Sequence, residues 1–273
     1  MRRTAVLVSS VILFFVLNAF AQVDAYIQMD FEGPVELVVT DSQGKRCGYN
    51  PFTGTIYNEI SYAGYGYGSD GSAKEFAFNT ALKDTSFSTT YTIQLFGTRK
   101  GAFTGDGGAE QTWSGKGLNF NVLGVIDSNQ TVTYKLTYTT DSTITPTMTK
   151  VVTPHIIIQD FNDCFKLRLL GDREFYRELR NQLDNFNRHI EHRDSVEARR
   201  ELESFWNRIQ YVYSDTVDND NANHHAETRF EHRLRGFVTQ EAYQILNEDV
   251  NLMLAQLPVE THRGDHYDGR GKR

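Results

Sequence analysis

Cysteine, proline and tryptophan are scarce in this chain: two, five and two among 273 residues. Two cysteines exclude a small secreted scaffold stapled by several disulfides. Positive charge is also in short supply. There are 28 Lys and Arg against 35 Asp and Glu, a formal net charge of −7, so nothing favours bulk attraction to nucleic acid. Long apolar runs are missing after the first 21 residues, which leaves no further segment able to span a membrane. The remaining composition, 39% hydrophobic and 23% charged, excludes collagen, a long coiled coil and a fully disordered chain. The length suffices for two modest domains with buried cores.

The start of the chain reads as an address. Met1-Arg2-Arg3 is a short basic opening, Ala5 to Phe20 is mostly apolar, and Ala19 and Ala21 bracket Phe20 in an A-x-A arrangement. That pattern predicts a secretory signal peptide over residues 1–21, cleaved after Ala21, and a secreted or periplasmic protein. Cleavage removes Arg2 and Arg3 and no acid, which takes the net charge from −7 to −9. Export would place Cys47 and Cys164 in an oxidising compartment, where they are candidates for a disulfide closing a very long loop; the alternative is two separate thiols.

Composition changes near residue 160. Sixteen of the 21 glycines lie in residues 22–159, whereas fifteen arginines and seven of the eight histidines lie in residues 160–273. Such a shift marks a domain boundary, and the expected division is a β-domain over 22–158 and a helical domain over 159–258. In the first part Val35–Thr40, Thr90–Phe96, Leu118–Leu123 and Thr131–Tyr138 read as strands; the last places Val132, Tyr134, Leu136 and Tyr138 on one face. Short strands separated by Gly-rich turns predict an antiparallel β-sandwich. Ser61-Tyr-Ala-Gly-Tyr-Gly-Tyr-Gly68 is so rich in glycine that it reads as a loop displaying Tyr62, Tyr65 and Tyr67.

The second part has helical spacing. Phe175, Leu179, Leu183, Phe186 and Ile190 form one stripe behind Gly171-Asp172, a turn and cap. Asp194-Ser-Val-Glu197 is a capping-box pattern ahead of Leu202, Phe205, Trp206, Ile209 and Tyr213. Thr239 is an N-cap for a helix carrying Ala242, Ile245, Leu246, Met253 and Leu257, which Pro258 ends. A short helix is expected over 161–170, a mobile insertion over 214–235 and a disordered tail over 259–273. The fold class is therefore α+β, segregated: an antiparallel β-sandwich followed by a small α-helical bundle.

Three stretches carry a likeness. Val35-Glu-Leu-Val-Val-Thr-Asp-Ser-Gln-Gly-Lys-Arg-Cys-Gly-Tyr-Asn-Pro-Phe-Thr-Gly54, running on to Asn58-Glu-Ile60, resembles a module of exported bacterial proteins. That module reads as a strand, then T-D-P-x-G-R-R-x-G-x-D-P-x-T-G, then x-N-E-I-P. Thr90-Tyr-Thr-Ile-Gln-Leu-Phe-Gly-Thr98 resembles its later Y-T-L-x-V-x-G-T strand. Gly171 to Leu257 resembles the FIMAH-type helical module found at the C-terminus of such proteins. The likeness covers most of residues 30–258 and implies the same two-module architecture. It implies no catalytic role, since neither module carries one that transfers. Cys47, Asn50 and the long 214–235 segment depart from the pattern.

Candidate sites are few. Tyr62, Tyr65, Tyr67 and Trp113 are the ligand-binding candidates, because aromatic faces stack on sugars. His189 and His192 share a helix face, yet there is no H-E-x-x-H and no repeated Cys/His spacing, so they read as a solvated polar face without a metal. Asp215, Asp218 and Asp220 fail the calcium-loop pattern, since a count from Asp218 puts Ala222 and Arg229 at ligand positions. There is no G-x-S-x-G, and no motif calls for a cofactor. The expected protein is an exported, non-catalytic interaction or surface-associated protein, its partner a protein or an envelope glycan. Alternatives are a glycan-binding module using the Tyr-rich loop, and an enzyme of unknown type.

Overall fold

The computed structural model describes residues 25–69, 71, 73–80, 88–111, 116–139, 145–222 and 236–259. The signal-peptide reading, Trp113, the end of the 214–235 segment and nearly all of the tail lie outside the described residues. The chain divides into two compact units at Val151/Val152.

The first unit is a sandwich of two antiparallel sheets. Sheet A has the order β5-β6-β1-β8-β9, from β1 (Ala25–Glu32), β5 (Ala63–Tyr67), β6 (Lys74–Thr80), β8 (Gly101–Gln111) and β9 (Lys116–Ile126). Sheet B has the order β11-β10-β7-β2-β3-β4, from β2 (Val35–Thr40), β3 (Arg46–Asn50), β4 (Thr55–Asn58), β7 (Ser88–Gly97), β10 (Thr131–Thr139) and β11 (Thr147–Lys150). Alternation explains which face is inside. Ile27, Met29 and Phe31 of β1 and Phe76 and Phe78 of β6 meet Leu37 and Val39 of β2, Ile93 and Leu95 of β7, and Val132, Tyr134, Leu136 and Tyr138 of β10 in one core. The face read for β10 is thus the buried one. Intervening residues point outward, and each register pair keeps them on the same side as their neighbours.

One sandwich expectation changes. Ser61–Gly68 is not a display loop: Ala63–Tyr67 is an edge strand paired with β6 in the register Ala63↔Phe78, Tyr65↔Phe76, Tyr67↔Lys74. Its glycines fall at alternate positions, Gly64 and Gly66, so the tyrosines between them still share one face and pack. Gly101–Gln111, to which the sequence patterning assigns no element, is a full strand between β1 and β9. The cysteines are both buried thiols, Cys47 in the sandwich core and Cys164 within the helical unit, and no disulfide joins them. Each takes the place of a small apolar core residue.

Among the described residues the second unit holds four helices: α1 (Pro154–Lys166), α2 (Arg173–Glu191), α3 (Ser195–Ala222) and α4 (Gln240–Gln256). The caps explain the starts. Thr153 Oγ1 accepts from Ile156 N at 3.3 Å, and Pro154 follows it with a φ already suited to the first turn. The first helix therefore begins at Pro154, ahead of the 161–170 helix read from sequence. Asp172 Oδ1 accepts from the Glu174 and Phe175 amides at 2.8 Å, Asp194 Oδ1 from Glu197 N at 3.3 Å, and Thr239 Oγ1 from Ala242 N at 3.3 Å. The stripes Phe175/Leu179/Leu183/Phe186, Leu202/Phe205/Trp206/Ile209 and Ala242/Ile245/Leu246 are buried. Strands β12 (Leu170–Gly171) and β13 (Phe237–Val238) pair across the unit. Helix α3 continues to Ala222, so residues 214–222 are helical instead of an insertion.

Candidate ligand-binding groove

The tyrosines singled out by sequence do not form one platform. Tyr62 sits at a turn with φ +62° and is 81% exposed. It borders a depression of about 210 Å³ with Asp41, Lys45, Ile60, Phe78 and Tyr91. Tyr65 is turned inward against the core, and its hydroxyl donates to Glu36 Oε2. Tyr67 reaches Glu36 Oε1 at 3.4 Å and meets the Tyr65 ring edge-on at 5.8 Å. Burial foremost, then the Glu36 carboxylate, pushes the Tyr65 phenol far above its usual value. Tyr65 and Tyr67 thus close one edge of the sandwich around Glu36. His189 contacts Asp194 at 3.6 Å, and among the described residues no three His, Cys, Asp or Glu side chains are placed to hold a metal ion.

A concavity lies on the outer face of sheet A. It is a groove of about 430 Å³ built by β1, β8 and β9. Its geometry follows from register. Asp30 pairs with Asp106, which pairs with Asn121. One step along, Gln28 pairs with Gly108, which pairs with Asn119. A further step places Tyr26 beside Glu110, which pairs with Gly117. Adjacent strands are about 4.8 Å apart and successive outward residues of one strand roughly 6.6 Å apart, so these positions form a three-by-three grid. Gly108 stands at its centre. Its four nearest neighbours, Gln28, Asp106, Glu110 and Asn119, carry side chains; the central position has none, and the missing side chain opens the groove.

The walls are polar, with no lysine or arginine among the lining residues. Along β1 the Tyr26 hydroxyl donates to Gln28 Oε1, and Gln28 Nε2 donates to Asp30 Oδ2 at 3.2 Å. This ladder fixes three side chains at one wall. Asp30 Oδ1 is shielded from water and accepts no hydrogen bond among the described residues. Burial, then the charges of Glu75 and Asp106 beside it, holds the Asp30 carboxyl above the ordinary carboxylate value, opposed by the Gln28 hydrogen bond. Glu75 is its register partner on β6. The face therefore concentrates acceptors around a low centre, one of them, Asp30 Oδ1, without a hydrogen-bond partner, an arrangement suited to a ligand rich in hydrogen-bond donors.

Sequence reasoning missed this site for two reasons. The signal in β1 is strong: Tyr26, Gln28 and Asp30 alternate with Ile27, Met29 and Phe31, a pattern that identifies both the strand and its polar face. The signal in β8 is masked, because Gly105-Asp-Gly-Gly108 has the composition of a turn. Comparison with family models, with curated proteins and with solved structures finds no match to this chain.

Proposed function

We propose that the chain is an exported, non-catalytic binding protein whose sandwich unit holds its ligand on the outer face of sheet A. The observation that carries this reading is the groove around Gly108, lined by Gln28, Asp30, Asp106, Asn119 and Asn121. Carboxylates and amides on a concave face cost little when solvated, and they gain when a complementary ligand replaces that water. The apolar opening of the chain with its A-x-A site supports secretion or a periplasmic location, and the family likeness supports an envelope-associated role with a protein or glycan partner.

The chemistry of the lining supports binding over catalysis. No Ser, Thr, Cys, His or Lys lines the groove, so it offers no activated nucleophile with an adjacent base. Carboxylates do line it, and a pair of them can cleave a glycosidic bond. That requires the two groups to flank the bond from opposite sides. Asp30 and Asp106 are register partners rising from the same sheet face, so both meet the same side of a ligand.

The test is differential scanning fluorimetry of the chain with soluble polysaccharides, calcium and a lysine-rich peptide, on wild type and Asp106→Asn. A ligand present at about 100 times its Kd stabilises the native state by roughly 2.7 kcal/mol, a shift of several degrees. A stabilisation that Asp106→Asn abolishes is the expected result. No response to any of the three classes overturns the groove as a binding site.

A further inference from the structure

Resting on that reading, we infer that the groove around Gly108 takes a neutral glycan, gripped through vicinal hydroxyls by the carboxylate and amide pair Asp106 and Asn121.

Three features select this chemistry. The first is the pairing of unlike groups. Asp106 and Asn121 are register partners on adjacent strands. A carboxylate only accepts, and an amide both donates and accepts. Side by side they present what two neighbouring hydroxyls of a sugar require: an acceptor for both O–H groups and a donor to one oxygen. Gln28 and Asp30 repeat the amide–carboxylate combination on the opposite wall, already joined at 3.2 Å. Hydrogen bonds to a charged carboxylate are the stronger kind, which suits a ligand whose own groups are uncharged.

The second feature is the floor. An added Cβ at Gly108 would lie 3.2 Å from Asn119 Oδ1 and 3.3 Å from the Leu118 carbonyl oxygen, and one at Gly117 would lie 3.4 Å from the Glu110 side chain. The two glycines keep the middle of β8 and the start of β9 low, so a ring can settle between the β1 and β9 side chains. Tyr26 stands at the end of the β1 wall. On the β5 side of the same face, Gly64 and Gly66 meet nothing within 4 Å of an added Cβ. The outer face of sheet A is thus low at its centre and at one edge.

The third feature is the sign of the charge. Asp30, Asp106 and Glu110 line the groove and Glu75 adjoins it, with no cationic side chain in the lining. An acidic polymer would be repelled by this set. Among the described residues no three His, Cys, Asp or Glu side chains converge as a metal ion's ligands would. A neutral polyol satisfies the carboxylates without either demand.

The test is affinity gel electrophoresis of the chain through gels containing a β-glucan, a xylan, a mannan or a polygalacturonate. The variants are Asp106→Asn, which keeps the shape and removes the charge, Gly108→Val, which fills the dent and keeps the charge, and Tyr62→Ala. Thermal melts of each establish that it is folded. At least one neutral polysaccharide should retard wild type and polygalacturonate should not. Asp106→Asn and Gly108→Val should each weaken that retardation by roughly tenfold or more, the loss expected when a hydrogen bond to a charged group goes or its site is blocked. Tyr62→Ala should leave it unchanged. Retardation that survives both groove variants, a preference for polygalacturonate, or no retardation by any neutral polymer overturns the inference. In the last case, stabilisation by calcium or the lysine-rich peptide that Asp106→Asn removes would leave the groove standing as a binding site with another ligand.

Discussion

The two outward faces of the sandwich are built from the same kind of strand and differ in what stands at their centres. On sheet B, Thr40, Thr92, Lys135 and Thr149 form one row across four strands, and Thr90, Thr137 and Thr147 form the next. Each position carries a β-branched or long side chain, which is the ordinary way to cover a pleated surface. On sheet A the corresponding rows contain Gly108, and the plain becomes a groove. Sheet B has its own glycine, Gly48 of β3, but uses it differently. Gly48 has φ +130°, and an added Cβ there would run into the Leu37 carbonyl. Backbone occupies the space that its side chain would need. At Gly108 the nearest atoms to an added Cβ stand farther off, Asn119 Oδ1 at 3.2 Å and the Leu118 carbonyl oxygen at 3.3 Å, and the space above is the groove. The same residue type serves close packing in one sheet and an opening in the other, and only the surroundings distinguish them.

The most severe way to break the comparison is from below, since both faces rest on one core. Phe31 is fully buried and its ring fills the place of the side chain that Gly105 lacks. Phe31→Ala should cost about 3–5 kcal/mol in urea denaturation, the usual cost of emptying an aromatic core site. It should lower groove-dependent ligand stabilisation with it. A cost under about 1 kcal/mol would mean that the two sheets do not share a packed interior.

The glycines sharpen the comparison directly. Gly48→Ala meets both a left-handed backbone and an occupied Cβ position, and should destabilise by roughly 1–3 kcal/mol. Gly108→Ala has no such backbone penalty. An added Cβ crowds Asn119 Oδ1 at 3.2 Å, which a side-chain rotation at the edge strand β9 relieves, and the Leu118 carbonyl oxygen at 3.3 Å, which needs a small backbone shift; against this, alanine removes the entropic cost of a strand glycine. Stability should therefore stay within about 0.5 kcal/mol of wild type. Equal losses at the two positions would show that Gly108 is there for packing and not for the opening.

Why this contrast was only partly legible in the sequence has a physical explanation. The helices announced themselves through long apolar stripes and caps, and Asp172, Asp194 and Thr239 all bond the amides that their positions implied. The strands with bulky alternation, such as Thr131–Thr139, were equally plain. Gly101–Gln111 and Ala63–Tyr67 were not, because glycine marks a turn by composition and a strand only through its neighbours. Both lie against strands that carry the apolar pattern for them. The groove needed register as well as strands: Asp106 and Asn121 are fifteen positions apart in sequence, and nothing local announces that they are side by side. The tyrosines stood out because they are aromatic, yet Tyr65 and Tyr67 are occupied with Glu36.

The smallest expected effect is also the most specific to the groove, because it depends on pH. The Asp30 carboxyl is held above 3.8 by burial first, then by Glu75 and Asp106. A carboxyl whose folded-state value is raised costs stability when it is charged, above that raised value. The cost fades as pH falls through it, and is gone below the ordinary carboxylate value, where both folded and unfolded chains are protonated. Asp30→Asn removes the charge and keeps an oxygen to accept from Gln28 Nε2. It should therefore raise stability at pH 7, by no more than about 0.5 kcal/mol for a group this near to solvent. The gain should shrink on acidification and vanish below the ordinary carboxylate value. Thr92→Val on the plain face of sheet B should show no such pH dependence, since no carboxylate stands in its row. Melts of the two variants from pH 3 to pH 7 make the comparison. An Asp30→Asn gain that does not change with pH would assign the effect to packing. A loss at pH 7 would mean that the charged form of Asp30 is favoured by partners on this face, and that its unspent oxygen is not held in reserve for a ligand.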